Sequence, residues 1–444
     1  MFTTKNKKKI FIYIISFIFI LIYSLFFVPL TANEIWNYGF SYAIVKGEIL
    51  YNDFNLIIGP FYPLFMSISL LIKNCLFNYL FFNSIIILMA LITLYKMYDK
   101  KVIISIIILL FFPSLVCPSY NQFIIFLIIF IAYLEKSESG YKDILIGILL
   151  SISFFTKQNI GIFLILPSIF FYKKNNNKER IMGFIIPTII FLLYFIITKS
   201  LKNYINLCIL GLLEFGNKNN LVIVSCLIAF IIILIISVVC LLKNKSNISL
   251  YYYLMGYLVI LPIFDYIHLY FVIFIFSLLI IDVYKFDVLD MRVIRVCLYF
   301  LILNILIIES QRLSLSTFKY PNNINHLQLR YIPSNELKYY KKVINYLNGE
   351  DFLIYSDVNY LYKIALDKKI SNYDIVNYGN NGIGSKGKIV DFIKKNKQLY
   401  LIPNNLSKCI EDNICQVDKE GYDYIINNLI LIDSIGEFYV YENK

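Results

Sequence analysis

Charged residues are scarce in this chain of 444 residues, since Asp, Glu, Lys and Arg make up only 16% of it. Soluble domains carry about 25%. Histidine occurs twice and tryptophan once. The sequence contains no CxxC pair and no Cys/His pattern with the spacing of a zinc site. These absences exclude an ordinary soluble enzyme and a zinc-binding module.

Hydrophobic residues account for 59% of the chain and give it a mean hydropathy of +0.69. They gather in runs close to or somewhat below the ~20 residues that cross a bilayer as a helix. The runs lie near 10–30, 57–73, 78–95, 102–117, 119–134, 143–156, 159–172, 181–198, 220–242, 249–263, 266–283 and 293–309. The sequence therefore predicts a polytopic α-helical membrane protein with about 11–13 transmembrane helices.

Basic clusters between the runs predict the orientation in the cell membrane. The KNKKK sequence at 5–9 precedes a run with no small-residue cleavage site, which predicts an uncleaved first helix and a cytoplasmic N-terminus. Clusters at 173–180, 243–245 and 285–295 predict cytoplasmic turns and leave the C-terminal block outside. The net charge of +12 is explained by these turns and by anionic membrane lipids, without a nucleic-acid partner.

Two segments fit this topology poorly. Residues 96–101 (KMYDKK) favour the cytoplasm, yet two full crossings between Pro60 and Lys96 would place them outside. Either the run 57–73 enters the membrane only half-way, or this turn departs from the charge rule. The segment 200–218 is too short to span and is predicted to be an amphipathic helix at the outer interface.

The composition changes after about residue 310. Residues 1–310 are predicted to form the transmembrane domain, and residues 311–444 a small extracytoplasmic α/β domain, because short helical and strand-like stretches alternate there. Helices are predicted at 334–347, 358–366 and 389–395, strands at 351–356 and 399–403, and the pattern closes with 422–429 and 438–441. Cys409 and Cys415 lie in this range, where both a disulfide and two free thiols remain open.

The first predicted outer loop, residues 31–63, holds the first acidic residues of the chain, Glu34, Glu48 and Asp53. A carboxylate at the rim of a membrane is costly, which favours a functional reason for it. The spacing of apolar residues from Trp36 onwards predicts a helix along the interface. A catalytic loop and an ordinary solvated loop both remain open on these residues alone.

The residue order in this loop resembles the first extracytoplasmic loop of the GT-C superfamily of integral-membrane glycosyltransferases. It is most similar to the bacterial branch related to protein mannosyltransferases and to aminoarabinose and lipopolysaccharide-core transferases. That branch shows an Asp-Glu pair, a helix ending in Gly, a Pro-Tyr-x-Asp-Phe stretch and a Gly/Thr-Pro turn. The residues here are Asn33-Glu34, Ile35 to Gly47, Leu50-Tyr51-Asn52-Asp53-Phe54 and Gly59-Pro60. Asn33 departs from the pattern, and since an amide cannot take up a proton at neutral pH, the role of base passes to Glu34.

Further polar residues interrupt the apolar runs. The resemblance places a Thr-Lys element near the substrate cavity, where Lys157 would meet a lipid-linked phosphate; otherwise Lys157 marks an outer turn or snorkels. Asp265 and His268 share a helical face at their spacing. The same branch often carries this pair facing the cavity, where it would serve a diphosphate or a divalent metal, and a self-orienting pair at a helix end is the alternative. Asn121 stands where relatives often carry Asp, and it is assigned a structural role.

The resemblance implies a glycosyltransferase that moves a sugar, with inversion, from a polyprenyl-phosphate carrier to a cell-envelope glycan, lipid or protein outside the membrane. Its implied catalytic residues are Glu34 as general base and Asp53, and its implied substrate-binding residues are Asn33, Lys157, Asp265 and His268. No cofactor is assigned. Two other classes remain open: a polysaccharide polymerase or lipid-linked sugar transporter, which favours internal repeats that we do not find, and an inactive scaffold, which Asn33 motivates.

Overall fold

The structure is a computed structural model that describes residues 4–26, 32–98, 101–170, 177–211, 220–244, 247–261, 266–283, 319–321, 324–327, 331–377, 380–382, 387–412 and 417–443. The chain forms two compact units. The first unit comprises Met1–Val28, Leu80–Ile190 and Val222–Lys319. The second comprises Pro29–Tyr79, Phe191–Leu221 and Tyr320–Lys444. The predicted domain boundary at residue 310 stays a prediction.

Helices dominate both units. In chain order they are α1 (Thr4–Phe26), α2 (Ala32–Val45), α3 (Phe61–Ser67), α4 (Leu76–Met97), α5 (Lys101–Val116), α6 (Tyr120–Lys136), α7 (Lys142–Thr156), α8 (Gln158–Phe170), α9 (Asn177–Ile197), α10 (Leu201–Tyr204), α11 (Asn220–Lys243), α12 (Ile248–Gly256), α13 (Tyr266–Val283), α14 (Ser334–Tyr346), α15 (Asn359–Ala365), α16 (Lys388–Lys395), α17 (Leu406–Glu411) and α18 (Lys419–Asn428). The strands are β1 (Lys319–Pro321), β2 (Tyr331–Pro333), β3 (Phe352–Ile354), β4 (Leu399–Pro403), β5 (Ile430–Ile435) and β6 (Phe438–Glu442).

Each apolar run that the structure describes contains a helix. Among the described residues, three segments are long and apolar enough to cross a membrane, Leu76–Met97, Lys178–Ile197 and Cys226–Lys243. Shorter apolar helices are Ile10–Phe26, Phe61–Leu70, Lys101–Val116, Gln158–Ile169, Ile248–Ile260 and His268–Val283. The run 293–309 lies outside the described residues, so the total number of spans stays a prediction.

The run 57–73 is much shorter as a helix than as an apolar stretch. Its helical part is Phe61–Leu70, which at ~1.5 Å per residue is about 15 Å long, half of the ~30 Å hydrocarbon core. Pro60 stands immediately before it as the N-cap residue, because proline fits the start of a helix but not its interior. The helix is too short to cross the core by itself, and the two alternatives for this run stay predictions.

Small residues allow the helices of the first unit to approach closely. A methyl group on Gly147 of α7 would overlap the carbonyl oxygen of Arg180 in α9, and one on Gly183 of α9 would overlap that of Ile144. The same holds for Gly161 of α8 against the backbone of α7. Glycine at these positions lets the backbones touch, and α7 and α8 are thereby packed together around the turn that carries Lys157.

The C-terminal part of the second unit is a four-stranded sheet in the order β3-β4-β6-β5. Strands β3 and β4 are parallel, and β6 runs antiparallel to both β4 and β5. The helices predicted at 334–347, 358–366 and 389–395 and the strands at 351–356 and 399–403 are confirmed within a residue or two. The strand β5 was not predicted. Cys409 is disulfide-bonded, and Cys415 lies outside the described residues.

The first outer loop begins with α2, which confirms the predicted helix. Gly47 adopts a φ of 86° two residues after the helix ends, a left-handed conformation that glycine adopts without steric cost. The loop then packs against residues that follow α9. Asn52 donates to the Thr198 carbonyl at 2.7 Å, and the Cys208 thiol donates to the Leu56 carbonyl at 3.2 Å. Of the segment 200–218, residues 201–210 are helical, and their predicted position at the interface stays a prediction.

Candidate active site

Lys157 lies in the first unit, between α7 and α8. Its backbone is extended (φ −145°, ψ 97°) and separates the two helices. The side chain is only 5% exposed, and its ammonium nitrogen donates to Asn121 Oδ1 at 2.8 Å and to the Val259 carbonyl at 2.9 Å. The same nitrogen lies 5.7 Å from the centre of the Tyr120 ring, within the range of a cation–π contact. Lys157 therefore points into the helix bundle and does not snorkel to a surface.

Asn121 connects Lys157 to the second predicted residue of this unit, His268. Its Nδ2 lies 3.0 Å from His268 Nε2. Because lysine only donates, Oδ1 must face Lys157 and the amide NH2 must face the imidazole. Nε2 therefore accepts the bond, which places the proton of a neutral His268 on Nδ1. One amide fixes both the direction of the ammonium group and the tautomer of the imidazole.

Asn121, to which the sequence analysis assigned a structural role, joins two candidate site residues through its contacts. It lies in the first turn of α6, whose N-cap is Ser119; the Ser119 hydroxyl accepts from the Gln122 N–H at 3.1 Å. The signal in the sequence was the group of adjacent polar residues at a helix start within an apolar region. Asp265 lies outside the described residues, so its predicted pairing with His268 on one helical face stays a prediction.

Glu34 belongs to the second unit, in the first turn of α2. A carboxylate there interacts favourably with the helix dipole. The residue is 8% exposed, and it lies close enough to Tyr62 and Tyr79 for its charge to act on both hydroxyls. These two hydroxyls are 3.2 Å apart. Asn33 is also part of α2, but its side chain lies outside the description.

Asp53 has different neighbours from Glu34. Its Oδ2 accepts from the Ile49 N–H at 2.7 Å, and the side chain is exposed. Tyr51, inside the same turn, has a φ of 69°, an unusual conformation for an aromatic residue. Asp53 therefore closes a turn of the loop, and the described contacts do not bring it to Glu34.

Glu48 is a buried carboxylate that the sequence analysis noted but did not assign. Both of its oxygens lie within hydrogen-bond distance of the Ile370 N–H, at 3.0 and 3.2 Å. Burial raises the pKa of Glu48 to about 7, although the Ile370 N–H opposes the shift; the Asp374 carboxylate adds to it. A carboxyl group poised near neutrality is common at functional sites and also at structural contacts.

Helix α2 is attached along its length to the C-terminal part of the second unit. The Trp36 indole donates to the Asp357 carbonyl at 3.2 Å, and the Tyr42 hydroxyl donates to Asp367 at 2.7 Å. The Gly39 backbone lies against the Tyr360 ring, where any Cβ would overlap it. Trp36 thus contacts protein, and its predicted anchoring at the membrane interface stays a prediction.

In the described part of the chain, no three or more His, Cys, Asp or Glu side chains are grouped so that they could hold a metal ion. The His268 imidazole is engaged with Asn121, and Asp265 lies outside that part. A role for a divalent metal therefore has no ligand set among these residues.

No family model and no curated protein matches the sequence. The crystal structure of ArnT from Cupriavidus metallidurans in the apo state is similar over 99% of both chains, with a TM-score of 0.59 and 9% sequence identity. This likeness shows that the chain has a GT-C-like membrane-protein fold with a small C-terminal sheet domain.

Proposed function

We propose that this protein is a membrane glycosyltransferase that takes a sugar from a polyprenyl-phosphate carrier and adds it to an acceptor of the bacterial cell envelope, a glycan, lipid or protein. The observation that carries the proposal is the similarity to ArnT, an aminoarabinose transferase of the GT-C family, from one end of the chain to the other. The resemblance of the loop 31–63 to the same superfamily supports it independently, because it rests on residue order.

The proposed reaction is a direct displacement. Glu34 removes the proton from an acceptor hydroxyl, and the acceptor oxygen forms a bond to the anomeric carbon of the sugar. The bond between that carbon and the carrier phosphate oxygen breaks, and the phosphate leaves with the electron pair. The configuration at the anomeric carbon is inverted. The burial of Glu34 supports this role, because a desolvated carboxylate is a better proton acceptor than a solvated one.

Lys157 is proposed to bind the phosphate of the carrier. Its ammonium group is held in one direction by the oxygens of Asn121 and Val259, which position a point charge for an anionic ligand. His268 and Asn121 are positioning residues for that charge. Asp53, Asn33 and Asp265 keep their proposed places in the acceptor and phosphate pocket, and a divalent metal is left as an option for the phosphate.

The proposed topology follows the charge rule. The N-terminus lies in the cytoplasm, and the sheet domain lies outside the membrane with the first loop. The short apolar helix Phe61–Leu70 supports this, because a half-way segment removes the conflict at residues 96–101. A polysaccharide polymerase or sugar transporter, and an inactive scaffold, are the alternatives that the experiment must separate.

The test is a transfer assay with the full-length protein in proteoliposomes, supplied with native membranes as acceptor. Labelled polyprenyl-phosphate sugars are compared with the corresponding nucleotide sugars for the wild type and for Glu34→Gln. Glu179→Gln is the matched control, since Glu179 also lies in the first turn of a helix, α9.

Transfer from the lipid donor alone, lost in Glu34→Gln and kept in Glu179→Gln, is the expected result. Transfer that survives Glu34→Gln would assign the base to another group, and Asp53→Asn is then the next variant. No transfer from any donor would favour the scaffold or the transporter, and Asn33→Asp separates these from an enzyme disabled by its amide.

A further inference from the structure

The C-terminal sheet carries a cleft of about 540 Å³. It opens where the parallel strands β3 and β4 end and where β6 begins. Its lining comprises Tyr339, Tyr340, Tyr355, Ser356, Asp357, Val358, Asn377, Pro403, Asn405, Leu406, Cys409, Val417, Glu437 and Phe438. The carboxyl ends of parallel strands are the usual place for a ligand in α/β sheets, and the volume falls within the ~300–1,000 Å³ of small-molecule sites.

One wall of the cleft is aromatic and held in place. The Tyr339 ring packs against Phe438 with ring centres 6.2 Å apart and against Tyr340 at 6.0 Å. The Tyr339 hydroxyl also accepts from the Glu437 N–H at 3.2 Å. Gly436, with a φ of 58°, makes room for this ring, which any Cβ there would overlap. Rigid aromatic faces with a polar edge suit a ligand that is flat and apolar on one side and polar at its rim.

The polar part of the lining is acidic and amide-rich. Asp357 and Glu437 contribute carboxylates, and Asn377 and Asn405 contribute amides, whereas none of the described lining residues is Lys, Arg or His. Burial raises the pKa of Asp357, although a hydrogen bond from Asn377 opposes the shift. A carboxylate that has lost water in this way gains from an incoming cation. The field of the cleft attracts positive groups and repels phosphates and carboxylates.

We propose that this cleft binds a short saccharide that carries protonated amino groups. The aromatic wall stacks against the apolar faces of the sugar rings. The amides form hydrogen bonds with hydroxyl groups, and the two carboxylates form ion pairs with the ammonium groups. The inference rests on the geometry of this cleft and not on the proposed transfer reaction. Binding is measured without turnover, so a failure here and a failure of the transfer assay are distinguishable.

The fluorescence of Trp36 can report on ligand binding in this cleft. Trp36 is the only tryptophan, and its indole N–H donates to the carbonyl of Asp357, which is a lining residue. A ligand that contacts Asp357 changes the surroundings of the indole. The intrinsic fluorescence of the full-length protein in nanodiscs therefore reports on occupancy of the cleft.

The experiment titrates that fluorescence with four probes: a glucosamine trisaccharide, its N-acetylated form, a galacturonic acid trisaccharide, and spermidine. We expect saturable binding of the glucosamine trisaccharide, at least about tenfold weaker binding of the N-acetylated form, since the charged hydrogen bonds are lost, and no response to the acidic sugar. Equal binding of spermidine would overturn the saccharide assignment, and binding of the acidic sugar would overturn the charge assignment.

Substitutions of lining residues test whether the saccharide binds in this cleft. Glu437→Gln and Tyr340→Ala should each weaken the glucosamine trisaccharide about tenfold, and Asp357→Asn should act like Glu437→Gln. Glu442→Gln is the matched control, because Glu437 immediately precedes β6, whereas Glu442 lies at the other end of that strand and is not among the residues that line the cleft. Thermal unfolding of each variant establishes that it is folded. Unchanged binding in both carboxylate variants would place the ligand elsewhere and overturn the proposal.

Discussion

Two buried cations in the first unit differ in the partners that the structure describes for them. Arg180 makes a two-point contact with Glu135, at 2.8 and 2.9 Å, and a further contact with Asp143 at 2.6 Å. The described contacts of the Lys157 ammonium group include an amide oxygen and a backbone carbonyl, those of Asn121 and Val259. Both side chains are almost fully buried. Two carboxylates bind a cation into a network between helices, whereas amide and carbonyl oxygens set the direction in which an ammonium group points.

The Arg180 contacts are a structural use of buried charge. The Arg180 network extends to Ser168 and to Tyr252, whose hydroxyl donates to Glu135 at 3.1 Å, and so joins α6, α7, α8, α9 and α12. Such a network holds helices in register. The role proposed for Lys157 is different, since its oriented ammonium group would bind an anionic ligand that arrives and leaves.

The largest effect is expected from removing Arg180. In Arg180→Met two buried carboxylates lose their cation, which costs about 3–5 kcal/mol of unfolding free energy. Denaturant unfolding in detergent micelles measures it. Adding Glu135→Gln and Asp143→Asn to the same chain should restore part of the loss, and a loss under about 1 kcal/mol would show that the network does not stabilise the bundle.

Removing Lys157 should act on transfer more than on folding. We expect Lys157→Met to reduce transfer about a hundredfold, equivalent to about 2.7 kcal/mol of activation free energy, with a smaller change in unfolding temperature than Arg180→Met. Lys142→Met is the matched control, since Lys142 opens α7 and Lys157 follows its end. If Lys157→Met keeps its activity, the phosphate lies elsewhere.

Replacing the Asn121 amide by a carboxylate is a sharper test of the role of charge at Lys157. Asn121→Asp places a carboxylate next to the Lys157 ammonium group, as in the Arg180 network. Transfer should fall about tenfold because the added carboxylate competes with the carrier phosphate for the ammonium group, while the unfolding temperature should stay the same or rise. Asn121→Ala removes the orienting oxygen without adding a charge and should lower both; the same outcome for the two variants would contradict the role of charge.

A smaller effect is expected from the buried carboxyl group of Glu48. This group accepts hydrogen bonds from the Ile370 N–H, and burial raises the pKa of Glu48 to about 7. Between the ordinary glutamate value of about 4.5 and 7, the folded protein binds more protons at this residue than the unfolded chain, so stability falls as pH rises through this window and then levels off.

The measurement for Glu48 is the unfolding temperature between pH 5 and pH 8. The wild type should lose stability relative to Glu48→Gln as pH rises, because the amide does not titrate. Parallel profiles for the two proteins would show that Glu48 is ionised throughout this range.

The sequence predicted the helices and strands better than the contacts between them. Apolar runs and alternating short stretches yielded α4 to α9 and most of the sheet domain, because local periodicity determines them. Strand β5 was missed because Ile430–Ile435 follows a helix directly and has no strict alternation. Lys157 and His268 were each predicted from polarity in apolar surroundings, but Asn121, separated from them by 36 and 147 residues, carries no local signal for a contact with either. Glu48 was noted but left without a role, because its partner Ile370 lies 322 residues away and the sequence does not show this contact.

The attachment of α2 to the C-terminal part has a consequence for how the protein is made. Trp36 and its partner Asp357 are 321 residues apart, and ribosomes add ~5–20 residues per second, so roughly 16–64 s separate their synthesis. During that interval the chain segment that forms α2 has been synthesised, but the C-terminal residues that it contacts have not. The contacts of α2 with the C-terminal part therefore form only after that part has been synthesised, so a prematurely ended polypeptide lacks them.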